Sequence, residues 1–408
     1  MKILYLHQYF CTPEGSAGTR SYEFARRWVA AGHEVTMITS PAYLPERFKA
    51  FTTVTETLID TIPTVIIPVP YANKMSFSQR IRAFGQFALR ASREAMRREA
   101  DVIFATSTPL TIAIPAIAAK LRRRVPMVFE VRDLWPELPI AIGALKNPLF
   151  RWAAYALEWI AYHNARHIIA LSPGMSAGIQ KRGIPAERIS VQPNSCDVAL
   201  FDIPPERGES IREQLGLRPD QPLIVYSGAF GVINGVDYWV RVAAELRQSD
   251  PDIHILLVGM GAEVEKVTAL ARELGVLGVN VTIWKPVKKE EMPTILAAAT
   301  VGSSLFKPIE AMWHNSANKF FDTLAAGKPV VINYGGWQGE LLEETGAGIA
   351  LPPEDFPRAA ALLAAFLRDE GRLAGGRKAA RDLAANRFHR DTIARGVEGV
   401  LMKAAAGR

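Results

Sequence analysis

The chain has 408 residues, 49% of them hydrophobic and 22% charged, with a net charge of +7. That length argues for two domains, and the composition is that of a folded globular protein, not a disordered, collagen-like or membrane-spanning one. Two cysteines, Cys11 and Cys196, exclude a disulfide scaffold and point to a reducing compartment.

The opening MKILYLHQYF is too short for a signal peptide and carries His7, so it reads as a first buried strand. Apolar runs at 2–6, 35–38, 65–67, 102–105, 127–131, 168–171 and 189–191 read as strands with amphipathic helices between most of them. This alternation predicts an α/β fold, a parallel sheet with helices on both faces. The longest apolar run, 110–119, is broken by Pro115 and is too short to span a bilayer. Around Asn194 the pattern gives way to NSCDVALFDIPPERGES, a polar, proline-containing linker. A second alternation follows at 223–227, 253–258, 281–284, 301–305, 330–333 and 348–351, and the tail 381–405 reads as helix.

Segment 74–98 holds seven basic residues against one acidic residue. Phe77, Ile81, Phe84, Ala88, Ala91 and Ala95 make one helical stripe, with Arg82, Arg90, Arg93 and Arg97 opposite. The stripe either packs on the sheet, leaving solvated arginines, or docks on anionic lipid.

Several loops carry candidate chemistry. Gly15-Ser16-Ala17-Gly18 lies between the first strand and a helix predicted to start near Thr19. Small residues let backbone approach a ligand, and a helix start favours an anion, with Arg20 a candidate phosphate contact. A tight turn with a solvated arginine is the plainer reading, and no GxGxxG fingerprint is present. The run Glu130-Val131-Arg132-Asp133-Leu134-Trp135-Pro136-Glu137 ends a strand, where open parallel sheets bind ligands. Arg132 stays charged and cannot act as a base, so Asp133 is the nearer candidate base or sugar ligand. The alternative is a structural Arg–Asp pair. Ser227-Gly228-Ala229-Phe230-Gly231 offers backbone N–H groups after another strand, or is simply a glycine turn. Asp250-Pro251-Asp252 has a metal-diphosphate spacing but precedes a strand, at the wrong end for a ligand, and reads as a turn.

The richest stretch is 303–336, which reads as strand, loop, helix, glycine stop, strand. Asn315 or Ser316 is placed to cap a helix beginning near Ala317, with Phe320, Phe321 and Leu324 on its buried side. Gly327 and Pro329 end it. Asn315, Lys319 and Asp322, spaced 4 and 3, share a face near the helix start, with Asn318 beside them. Free N–H groups and a cation suit a phosphate, and a carboxylate one turn on suits sugar hydroxyls. Such an arrangement could bind a nucleoside diphosphate.

In this stretch, and in LYLHQYFCTPEGSAGTRSYEFARRWVAAGHEVTMIT, FEVRDLWPELP, VYSGAFGVINGVD and LLVGMGAE, the chain resembles glycosyltransferase family 4. In detail it is similar to the bacterial branch that builds O-antigens, capsules and exopolysaccharides. The resemblance implies the GT-B fold, two Rossmann-like domains facing across a cleft. An acceptor-binding domain would span 1–195 and a nucleotide-sugar domain 196–385, with a helix at 386–408 crossing back to the first. It implies retaining transfer from a nucleotide-diphospho-sugar, most often a UDP-sugar and in this branch including amino-deoxy sugars. The acceptor would be a glycan or a polyprenyl-diphosphate-linked sugar, and the enzyme cytoplasmic or peripheral on the membrane's inner face, touching it through 74–98. Neither metal, cofactor nor nucleic acid is expected.

By the same resemblance Arg132 and Asp133 lie at the reaction centre, and Gly15, Gly18 and Arg20 lie beside the diphosphate. Gly228, Phe230 and Gly231 meet it by backbone, Lys285 borders the base, and His314, Asn315, Ser316, Asn318, Lys319 and Asp322 hold the donor. The chain departs from the family pattern at five positions. Arg132 stands where many members have histidine. Ala229 and Asn234 stand where much of the family has an arginine and a lysine that grip the diphosphate. His314 and Asp322 stand where the family has a pair of glutamates, and Glu310 could fill the first role. Lys319 is then the best cation to replace the missing clamp. A nucleotide-sugar epimerase of the same fold and a non-catalytic sugar-binding subunit are the other readings.

Overall fold

The computed structural model describes residues 1–15, 18–72 and 75–407, with Phe77 described by its backbone alone. Ser16 and Ala17 of the first glycine loop, Lys74 of the basic segment and the Phe77 side chain therefore lie outside the described residues. The chain forms two compact units, one of Met1–Pro193 with Asp391–Arg408 and one of Asn194–Arg390.

The first unit is built on an eight-stranded sheet: β1 (Lys2–Leu6), β2 (Glu34–Thr39), β3 (Thr55–Ile59), β4 (Ile62–Ile66), β5 (Val102–Thr106), β6 (Met127–Val131), β7 (His167–Ala170) and β8 (Ile189–Val191). The order is β3-β4-β2-β1-β5-β6-β7-β8. Its pairs are parallel except for the β3–β4 edge hairpin. The central strands β5 and β6 are buried along their whole length and covered on both faces, with Glu130 the one charged residue in them. Strand β3 is absent from the sequence reading, because TETLI alternates exposed and half-buried residues and leaves Leu58 in solvent.

Helices Phe77–Arg97, Ala113–Arg123, Pro148–Asn164 and Pro173–Gln180 supply one core with Phe87, Ala91, Ala116, Tyr162 and Met175. Helices Arg20–Ala30 and Arg390–Ala406 supply the other face, through Trp28, Val397 and Leu401. Trp28 Nε1 donates to Ala394 O at 3.3 Å, and Arg27 Nε meets Asp391 at 2.6 Å. The 74–98 stripe needs correcting. Ala83, Phe87, Ala88, Ala91 and Ala95 are the buried residues, whereas Ile81 is exposed. The buried band from Ala83 to Ala95 packs on the sheet, while Ile81 and Leu89 stay exposed.

The second unit carries six parallel strands: β9 (Leu223–Ala229), β10 (His254–Met260), β11 (Val281–Trp284), β12 (Val301–Ser304), β13 (Val330–Ile332) and β14 (Gly348–Ala350). The order is β11-β10-β9-β12-β13-β14. Strands β9 and β10 run past their aliphatic segments because glycines let them close. A Cβ on Gly259, at φ +158°, would stand 1.8 Å from Gly228 O. Part of the glycine segment read as a loop is therefore strand, and it delivers Gly228 and Ala229 to the carboxyl end of the sheet.

Candidate functional site

In the second unit the candidate site gathers at the carboxyl ends of β9 and β12. Helix Asn318–Ala325 starts there, capped by Ala317, which makes no side-chain cap bond. The expected cap by Asn315 or Ser316 is thus corrected. Ser316 is buried, and its Oγ accepts the Asn194 N–H at 2.9 Å. Asn315 sends Nδ2 to Met312 Sδ at 3.7 Å, and its carbonyl accepts Trp337 Nε1 at 3.0 Å. Both side chains fix the loop rather than the helix end, because the backbone turns into helix one residue later than the polar pair. Asn318 is exposed at the first helical position.

Lys319 points back along the helix toward β9. Its Nζ lies 3.0 Å from Tyr226 Oη and 4.5 Å from that ring's centroid. A Cβ on Gly228, at φ +147°, would sit 3.3 Å from the same Nζ. Among the described residues Lys319 has no acidic partner, and burial brings its pKa down to about 7. A desolvated cation without a counter-charge among the described residues, beside a glycine strand end and the start of a helix, suits an anion.

Asp322, one turn on, is oriented differently. Its Oδ2 meets Lys289 Nζ at 2.5 Å, and Lys289 also stands over Phe201. Lys289 is a partner that the sequence reading missed, since nothing in KKEEM relates it to a helix 33 residues away. His314 ends the 3-10 turn Glu310–His314 and is half-buried. Lys285 is exposed directly after β11.

Phe230 is corrected outright. Its side chain is fully buried, edge-on to Tyr226, and its N–H donates to Met260 O at 2.8 Å. That backbone donor is consumed in joining the strand ends and cannot meet a ligand. Gly231 accepts from Asn234 N at 3.0 Å, so this stretch turns tightly back. Tyr334 Oη lies 2.9 Å from Ser304 Oγ and donates to Gln338 Oε1 at 2.7 Å, which pins the loop after β13.

In the first unit a second polar centre occupies the carboxyl ends of β1, β5 and β6. Thr108 Oγ1 donates to Asp133 Oδ2 at 3.1 Å, and Ser107 Oγ accepts Arg132 N–H at 3.0 Å. Burial holds the Asp133 pKa above the usual carboxylate range, against the pull of Arg132. Arg132 Nη1 lies 3.5 Å from His7 Nε2. Burial, then the Arg132 charge, pushes the His7 pKa well below its ordinary value. His7 Nδ1 and both side-chain atoms of Gln8 are buried without a partner among the described residues. Such orphaned polar atoms are costly unless something satisfies them. The sequence reading used His7 only to place the first strand and passed over Gln8; the signal was a His-Gln pair directly after the first strand of a parallel sheet.

Arg20 does not reach for a ligand. Its Nε donates to Glu130 Oε1 at 3.0 Å, Nη1 to Pro193 O at 2.5 Å and Nη2 to Gln192 O at 2.8 Å. Both members of the pair are almost wholly buried. The guanidinium neutralises Glu130 and ties β6 to the segment after β8, so its phosphate role is withdrawn. Gly15 packs against Cys11, where a Cβ would stand 2.4 Å from Sγ, and its N–H donates to Thr12 O at 2.9 Å. Gly18 lies just beyond the residues outside the description and is half-buried.

Residues 15–195 match the family model described as a glycosyl transferase 4-like domain, and residues 208–387 match that for glycosyl transferases group 1. The chain is 26% identical over 263 residues to WcaI of Escherichia coli K12, a proposed colanic acid biosynthesis glycosyl transferase. That match covers 61% of this chain and 63% of the relative. Among solved structures, sucrose-phosphate synthase from Thermosynechococcus elongatus superposes with a TM-score of 0.80 at 17% identity, covering 100% of both chains. HepE from Anabaena, in complex with UDP and glucose, superposes at 0.70 with 20% identity, covering 99% of this chain and 100% of that one.

Proposed function

The chain belongs to the family 4 glycosyltransferases of the GT-B fold, and on that premise we propose that it moves a sugar from a nucleotide-diphospho-sugar to a glycan or lipid-linked acceptor. The observation that carries this reading is Lys319, a half-buried ammonium beside Gly228 with no carboxylate partner among the described residues. Departure of a nucleoside diphosphate concentrates negative charge on its outer phosphate. A preorganised cation in a dry site stabilises that charge as it develops. Lys319 is the replacement for the clamp absent at Ala229 and Asn234. Asp322 takes the ribose hydroxyls with the oxygen that Lys289 leaves.

The donor is a UDP-sugar, amino-deoxy sugars included, a reading supported by the UDP and glucose held in the HepE structure. Configuration is retained, with the acceptor hydroxyl attacking on the face the diphosphate leaves. Asp133 orients that hydroxyl and accepts its hydrogen bond, and Arg132 holds a phosphate or sugar oxygen. No metal or cofactor takes part. The product belongs to bacterial surface polysaccharide, as the likeness to WcaI supports. With a lipid-linked acceptor the enzyme works at the inner membrane face, in peripheral contact through the basic segment 74–98.

Calorimetric titration with a panel of nucleotides and nucleotide-sugars tests the donor reading. UDP and at least one UDP-sugar are expected to bind, and Lys319→Met to weaken both. If no nucleoside diphosphate binds the intact chain, the reading fails. Product formed from donor alone would replace transfer by epimerisation.

A further inference from the structure

Helix Pro148–Asn164 turns an aromatic face to solvent. Leu149 is 67% exposed, Trp152 69% and Trp159 56%, and their spacing of 3 and 7 puts them on one stripe. Phe150, Tyr155 and Ile160 flank that stripe and are also exposed. The helix meets the sheet with its other side, through Ala161 and Tyr162. Its one acidic residue, Glu158, is buried with Arg182 Nε 3.1 Å away, so no carboxylate of the helix faces outward. Helix Ala113–Arg123 lies alongside, joined where Lys120 Nζ donates to Asn164 O at 2.7 Å, and adds the exposed Leu121. Between that helix and Phe77–Arg97 an open depression of about 360 Å³ is lined by Arg93, Met96, Arg97, Arg122 and Arg123. Arg123 donates to the Met96 and Arg97 carbonyls, which fixes one wall. Arg97 also meets Glu94 at 3.3 Å.

A soluble surface seldom shows two tryptophans and several large aliphatics together unless something covers them. Charge decides what does. A second copy of the chain seated on this face would bring two arginine clusters together, which repel. A bilayer rich in anionic lipid offers phosphates to the arginines. It also offers an interfacial layer in which tryptophan and tyrosine are favoured. We propose that this surface docks on an anionic bilayer, with Leu149, Trp152 and Trp159 entering the headgroup–acyl boundary and Arg93, Arg97, Arg122 and Arg123 contacting lipid phosphates. The proposal rests on the peripheral-membrane part of the reading above and moves its main apolar contact from segment 74–98, whose Phe87 and alanine band is buried, to Pro148–Asn164.

The test is co-sedimentation of the full chain with vesicles of phosphatidylcholine alone or mixed equally with phosphatidylglycerol, at low and high salt. Wild type is expected on the anionic vesicles at low salt and to be released by high salt. Trp152→Ser with Trp159→Ser should raise the lipid concentration for half-binding about ten-fold or more. Changing the four arginines to glutamine should raise it by roughly a hundred-fold or more. UDP titration of each variant confirms that it is folded. Binding unaffected by the tryptophan changes but lost with the arginines overturns the aromatic-face proposal and leaves contact through 74–98 standing. No binding of wild type to anionic vesicles overturns both. Concentration-dependent dimerisation that the tryptophan changes abolish, without vesicle binding, assigns the face to a second copy and also overturns the proposal.

Discussion

Lys319 Nζ sits 3.0 Å from Tyr226 Oη, above the ring of the same tyrosine, with no carboxylate among the described residues to balance it. Burial lowers its pKa from 10.5 to about 7, so at neutral pH the lysine itself is only part-charged. A bound diphosphate stabilises the ammonium and raises that pKa again. Nucleotide binding should therefore take up a proton above pH 7, and UDP affinity should fall by up to about tenfold per pH unit as pH rises from there. Titrations in buffers of different ionisation enthalpy measure the uptake directly. For folding, a lysine with a depressed native pKa costs stability as pH falls from 10.5 toward 7, and Lys319→Met should remove that slope. Proton uptake unchanged in Lys319→Met would assign the effect to another group.

Asp322→Ala should weaken UDP affinity by roughly ten- to a hundred-fold, as loss of charged hydrogen bonds worth about 1.5–3 kcal/mol each implies. Lys289, left without its partner at 2.5 Å, adds a new cation that could offset part of this through the diphosphate. Lys289→Met in the same background separates the two contributions. Unchanged affinity in Asp322→Ala would remove the residue from the donor site.

Asp133→Asn keeps the size of the side chain and can still meet Thr108, which now donates to an amide oxygen 3.1 Å from its hydroxyl. If Asp133 orients the acceptor hydroxyl, turnover should drop by about a hundred-fold or more with donor affinity nearly intact. Steady-state rates beside UDP-sugar titration give the split. Near-normal turnover would return Asp133 and Arg132 to a structural pair.

Arg20→Met should act on stability and not on the donor. It leaves Glu130, which has no exposed surface, without its cation, and breaking a buried pair in this way costs about 3–5 kcal/mol. Denaturant unfolding reads the loss. A variant of wild-type stability with weakened nucleotide binding would reinstate Arg20 as a phosphate ligand.

The alternation of aliphatic runs and amphipathic helices, read from residues alone, gave the α/β class and nearly every strand, because parallel strands covered on both faces must be continuously apolar. Strand β3 escaped, since an edge strand half in water needs no such run. The cluster at Asn318, Lys319 and Asp322 was visible through its helical spacing, as spacing is local. What spacing cannot reveal is which long-range partner claims a charge. Arg20 and Lys319 look alike in sequence, each a cation at a helix start after a small-residue loop. Tertiary structure places Glu130, 110 residues away, against Arg20 and neutralises it, while Lys319 comes to rest on Tyr226 with no acidic partner among the described residues. The same holds for Pro148–Asn164, apolar on nearly every side. Its sequence does not say which side the sheet takes, and only the packing of its Ala161 and Tyr162 into the core left Trp152 and Trp159 in water. Local pattern determined the elements. The dielectric and the partner of each charge were decided by contacts between segments far apart in the chain, and those set the chemistry.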